Sequence, residues 1–122
     1  MKLHASAPGG VHLVTAYGDD YVAVNGVRYE DSIVVLPERV VAWGGRSFAG
    51  LANDDFGFLA SLKMEIVLLG TGARQRFPHP RLGAPLAQAR IGLEVMDLQA
   101  ACRTYNILVA EERKVAAALL FA

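Results

Sequence analysis

Cysteine is the scarcest chemistry-bearing residue: Cys102 stands alone in a chain of 122 residues. A lone thiol excludes an intramolecular disulfide and any four-thiolate metal site. Excess charge of one sign is also missing, since Lys and Arg total 12 and Asp and Glu total 12. That balance supplies no overall field to gather nucleic acid or an anionic membrane, so any such binding would need a local patch, and no nucleic-acid partner is expected. No apolar run approaches the about 20 residues that span a bilayer as a helix; the longest is residues 115–122. The opening Met-Lys-Leu-His-Ala-Ser-Ala-Pro-Gly-Gly has neither the apolar core of a signal peptide nor the Arg-rich bias of a mitochondrial presequence. A cytoplasmic location follows as the expectation, with residues 1–10 a flexible N-terminal segment. His4, His12 and His79 are too dispersed to form a metal site, and no cofactor is expected.

What is present is apolar. Hydrophobic residues make up 53% of the chain and charged ones 20%, which excludes disorder as the dominant state. A chain this long buries roughly two-thirds of its unfolded surface around one core, so residues 1–122 are expected to form a single domain.

The first third reads as β-structure. Residues 11–17 favour strand and end at Gly18-Asp19-Asp20. Residues 21–24 and 27–29 flank Asn25-Gly26, the pair best suited to the positive φ values of a type I′ hairpin turn. Residues 32–36 and 40–43 give two more short strands, separated by Pro37. The pattern then changes. Asn53-Asp54-Asp55 offers caps for a helix over 54–62, weakened by Gly57. An apolar strand over 65–69 stops at Gly70-Thr71-Gly72, a short helix fits 85–90, and 91–96 is the next strand.

Asp97 caps the strongest helix. Leu98, Ala101, Cys102, Tyr105, Leu108 and Val109 recur at i, i+3, i+4, i+7, i+10 and i+11, which is one buried stripe. Cys102 therefore belongs to the core. Residues 115–122 are apolar on both alternating faces and read as a strand covered on both sides. Strands alternating with helices imply parallel crossovers, and the early hairpins add antiparallel strands. The expected fold is a mixed-sheet α/β domain, with N-terminal antiparallel hairpins and helices packed on the sheet.

Several polar features invite a function. Gly70-Thr71-Gly72 ends an apolar strand, where open α/β sheets place ligand loops. Its dinucleotide pattern is incomplete because Gln75 replaces the third small residue, and no Walker lysine is present; a structural turn is favoured. Arg74, Arg76, Arg81 and Arg90, with His79, lie between Glu65 and Glu94 without a local acid. They suit either an anion site or a solvated basic loop. Glu94 interrupts an apolar strand read as buried, where a carboxylate must be paired, protonated or facing a solvated cleft; pairing with Arg90 or Arg103 is favoured over a catalytic acid. Gln99, Arg103 and Asn106 fall at i, i+4 and i+7 of the capped helix and are the first choice for a recognition face. Gly45-Arg46-Ser47-Phe48-Ala49 falls one glycine short of a nucleophile elbow.

Longer motifs carry a resemblance. Leu68-Leu69-Gly70-Thr71-Gly72, Gly92-Leu93-Glu94-Val95-Met96-Asp97 and the run Ala100-Ala101-Cys102-Arg103-Thr104-Tyr105-Asn106-Ile107-Leu108 resemble a small α/β family of unknown biochemical function. That family includes the mitochondrial complex I assembly factor 3 and an adipogenesis-associated protein. Val24-Asn25-Gly26 and Tyr29 also fit it. The resemblance implies a single three-layer α/β domain with a central mixed sheet and helices against it, a closing strand at the C-terminus and protein partners in respiratory-complex biogenesis. It brings no catalytic residues. Glu112 stands where relatives often carry Gly after the long helix. The absent presequence favours a bacterial relative. A non-enzymatic interaction or assembly protein is the leading expectation, and a symmetric homodimer is compatible with it. The alternative is an anion or small-molecule binder, or an enzyme, built on Gly70, Thr71 and Gly72 with Arg74, Arg76 or Arg103.

Overall fold

The computed structural model describes residues 10–43 and 47–121. Its elements follow the order β1 (Val14–Tyr17), β2 (Val22–Val24), β3 (Val27–Tyr29), β4 (Ile33–Val35), β5 (Val40–Ala42), α1 (Asn53–Ser61), β6 (Ile66–Thr71), α2 (Ala84–Gln88), β7 (Gly92–Met96), α3 (Leu98–Ala110) and β8 (Val115–Leu120). The N-terminal strands form a three-stranded sheet, β1-β2-β3, and the rest a five-stranded sheet, β5-β4-β8-β6-β7. Asn25 and Gly26 turn the β2–β3 hairpin with φ of 49° and 84°, as the turn chemistry predicts.

Strand β8 lies at the centre of the larger sheet, parallel to β6 and antiparallel to β4. All six of its residues are buried. Val115, Ala117 and Leu119 enter one core with Leu98, Ala101, Cys102 and Tyr105 of α3 and with Val14, Val22 and Val24 of the small sheet. Ala116, Ala118 and Leu120 enter the other, with Phe56 and Leu59 of α1 and Leu86 of α2. The period-2 alternation of a strand thus feeds two cores from one segment. The layers are α3 with the small sheet, the mixed central sheet, and α1 with α2, as the family resemblance implied.

Local chemistry fixes the helix that matters most. The Asp97 carboxylate accepts the Ala100 N–H at 2.8 Å and starts α3. The helix ends in a turn where the Glu112 N–H donates to the Val109 carbonyl and the Arg113 N–H to that of Leu108. Such a turn requires left-handed backbone, and Glu112 supplies it with φ of 61°.

Three readings need correction. Strand β6 does not stop before Gly70 but runs through Thr71. A Cβ on Gly70 would lie 3.0 Å from Leu119 and 3.1 Å from Ala101, so the glycine exists to let α3 approach the sheet. The first turn of α1 follows Ala52, whose N–H donates to the Asp55 carboxylate at 2.9 Å; the acid three residues in does the capping. Glu94 is exposed, because β7 is an edge strand and not an interior one.

Candidate functional site

A groove of about 710 Å³ opens between β1 and α3. All four residues of β1 line it, with Tyr21 and, from α3, Cys102, Arg103, Asn106 and Ile107. The burial of Leu98, Ala101, Cys102 and Tyr105 sets the rotation of α3, which turns Arg103 and Ile107, one helical turn apart, outward. Ile107 is 58% exposed. Arg103 donates from Nη1 to the Tyr17 hydroxyl at 3.3 Å, and that bond holds its guanidinium above the ordinary pKa.

Asn106 does something else. Its Oδ1 accepts the Val14 N–H at 2.9 Å and its Nδ2 donates to the Val14 carbonyl at 2.8 Å. The predicted recognition residue is therefore a clamp joining α3 to the first strand. Tyr105 reinforces it, its hydroxyl donating to the His12 carbonyl at 2.8 Å while burial raises its pKa. Burial likewise pushes the Cys102 thiol up to about 12, which leaves it protonated and unreactive.

The Gly-Thr-Gly segment is tied inward. The Thr71 hydroxyl donates to the Arg74 carbonyl at 2.7 Å and accepts the Arg76 N–H at 3.0 Å. The Arg76 guanidinium donates twice to the Thr71 carbonyl, at 3.2 and 2.8 Å, and lies 4.6 Å over the Phe48 ring. Gly72 has φ of 87°, and its carbonyl accepts the Leu98 N–H at 2.8 Å. A small cavity of about 120 Å³ does open here, lined by Gly72 and Gln99. Asp19 and Asp97 also line it and no cation does, so its field opposes an anion.

The nine predicted site residues thus separate. Arg103 and Asn106 share the groove; Gly72 and Gln99 share the small acidic cavity; Gly70, Thr71 and Arg76 are tied into the fold. Arg74 is exposed, and Glu94 sits on the edge strand β7 without an ion pair to Arg90 or Arg103. Sequence reasoning missed Tyr17, Tyr21 and Ile107. Only Ile107 left a signal, being a large apolar residue off the α3 stripe.

The other flagged residues are structural. Ser47 accepts the Gly50 N–H at 3.3 Å and caps a 3-10 turn, while Gly45 and Arg46 of the elbow-like motif lie outside the described residues. His79 caps a second such turn, His12 contacts the Pro37 carbonyl, and His4 and all but the last residue of the expected flexible segment 1–10 lie outside the described residues. Among the described residues no group of three or more His, Cys, Asp or Glu could hold a metal ion, and no helix is long and apolar enough to cross a membrane.

A mixed central sheet with α3 and a three-stranded sheet on one face and two helices on the other defines a three-layer α/β protein. The chain belongs to the family described as proteins of unknown function, DUF498/DUF598, whose profile matches residues 14–120. It is 33% identical over 109 residues to the NADH dehydrogenase (ubiquinone) 1 alpha subcomplex assembly factor 3 of Bos taurus, covering 88% of this chain and 59% of that protein. The chain therefore spans less than two-thirds of that relative's length. It is 38% identical over 95 residues to the 13 kDa major membrane protein of Francisella tularensis, covering 76% of this chain and 77% of that one. A crystal structure of a Bordetella parapertussis protein superposes with a TM-score of 0.87 at 42% identity, covering 93% of this chain and 98% of the other.

Proposed function

We propose that this chain is a non-enzymatic, protein-binding assembly factor whose client is a respiratory NADH dehydrogenase. The observation that carries the reading is its likeness to the bovine assembly factor over 88% of its own length. The groove between β1 and α3 supports the same reading: an exposed Ile107 beside an arginine whose hydrogen-bond partner is a neutral tyrosine is suited to a protein surface. The proposal places the whole chain at work as one domain in the bacterial cytoplasm, without a cofactor, its groove facing the client.

Affinity capture with the tagged chain from native bacterial extract tests this. NADH dehydrogenase subunits are expected to co-purify, and the Arg103→Glu, Ile107→Glu variant is expected to lose them while keeping its circular dichroism spectrum. Asn106 is left intact because its loss would loosen the fold. Absence of those subunits from the wild-type capture would remove the client assignment.

A further inference from the structure

The small sheet ends at β1. The backbone of an end strand carries hydrogen-bonding groups with no neighbouring strand to take them. Val14 shows where those groups point, since its N–H and C=O face α3 and are held by Asn106. Tyr17 points the same way. The Gly18 N–H donates to the Tyr21 carbonyl at 3.0 Å and Tyr17 stands opposite Val22, so the alternation of an antiparallel ladder turns the Tyr17 N–H and C=O away from β2. Those groups face the groove without a backbone neighbour.

The Asn106 side chain is itself an amide, and it bonds Val14 through both its C=O and its NH₂, as the peptide groups of an adjacent strand would. The groove thus already holds one amide in strand-like pairing at its Val14 end and leaves the Tyr17 end open. Charge narrows the occupant further. Arg103 is the one charged side chain among the lining residues, and no carboxylate lines the groove. The remaining surface is largely apolar, with Val14, Ala16 and Ile107 beside the two tyrosine rings.

We infer that this groove takes an extended, acidic segment of a partner protein by strand addition to β1, its backbone pairing with Tyr17 and a carboxylate seated on Arg103. Within the four residues of β1 the pairing is confined to the Tyr17 end, because Asn106 already holds both backbone groups of Val14. This rests on the protein-binding reading above and specifies its chemistry: main-chain bonds supply affinity, and alternate side chains supply selectivity.

The probe is a displayed library of short random linear peptides, selected on the intact chain. Enriched sequences are expected to carry Asp or Glu among alternating apolar residues and to bind Arg103→Glu at least about tenfold more weakly. Replacing the peptide's acid by Lys is expected to restore binding to that variant. Hydrogen exchange read by NMR is expected to show the Tyr17 amide labile in the free protein and protected in the complex. Enrichment of sequences without acids, or binding that leaves Tyr17 exchange unchanged, overturns strand addition. So does a dimer of the free protein that already protects Tyr17. Peptides that behave as expected while NADH dehydrogenase subunits fail to co-purify would sink the client assignment and keep the groove chemistry. Co-purification without Tyr17 protection does the reverse.

Discussion

The side-chain amide of Asn106 grips both backbone groups of Val14, 92 residues away in sequence, at 2.9 and 2.8 Å. That pair fastens the small sheet to α3 and forms one end of the groove. Each half-buried bond contributes about 1 kcal/mol, and stranding the Val14 groups adds a desolvation cost. Asn106→Ala is therefore expected to lower unfolding free energy by about 2 kcal/mol, read as a lower urea midpoint at unchanged slope. Asn106→Asp keeps the acceptor and loses the donor, and should cost at least as much because its carboxylate faces the Val14 carbonyl. A variant as stable as wild type would contradict the clamp.

Glu112 and the turn that ends α3 give a prediction of opposite sign. A non-glycine residue at φ of 61° sits where L-residues pay about 1–2 kcal/mol. Glu112→Gly is expected to stabilise the chain by about 1 kcal/mol, the rest being offset by glycine's greater freedom when unfolded. Glu112→Ala keeps the strain and should change little. Urea unfolding of the two variants side by side decides it.

Gly70→Ala probes how closely α3 lies on the sheet. The added methyl would meet the Leu119 side chain of β8 at 3.0 Å and, on α3, Ala101 at 3.1 Å and the Leu98 backbone at 3.4 Å, and the last two cannot withdraw without moving the helix. The expected cost is about 1–3 kcal/mol, with near-ultraviolet circular dichroism changed more than far-ultraviolet. A neutral substitution would mean that the helix is free to shift.

Cys102 predicts the alkaline limb of stability. Its thiol pKa is pushed up to about 12 by burial, from an ordinary value near 9. Between those values the unfolded chain releases the proton and the folded chain keeps it, so stability is full below pH 9 and falls as pH rises. The slope from this group approaches about 1.4 kcal/mol per pH unit. Tyr105, also raised by burial, adds to the loss at higher pH. Urea midpoints from pH 8 to 11 are expected to fall less steeply for Cys102→Ala than for wild type. Parallel curves would show that Cys102 is not the titrating group. A thiol reagent at pH 8 should label Cys102 only on unfolding.

How far the sequence could be read depended on the range of the interaction. Asp97 and the apolar stripe behind it define α3 within one helix, and Asn25-Gly26 defines its hairpin within one turn. The double-sided apolar run of β8 is legible because central burial imposes it residue by residue. Glu94 was misread because strand order is a property of the whole sheet: the same apolar neighbours suit an interior strand and an edge whose outer side is charged. Asn106 lies on the flank of α3 away from the apolar stripe, but its bond to Val14 was not legible, since nothing near it in the chain announces that partner. The arginines near the Gly-Thr-Gly segment looked available as charges; Arg76 is instead held by Thr71 and the Phe48 ring.

The most direct measurement places a photo-crosslinking amino acid at Ile107, in the groove, and separately at Glu94, on the opposite sheet's edge, in living cells. The account predicts a crosslinked adduct containing an NADH dehydrogenase subunit from position 107 and none from position 94. Adducts from 94 alone, or no adduct from 107 in a chain that folds normally, would contradict it.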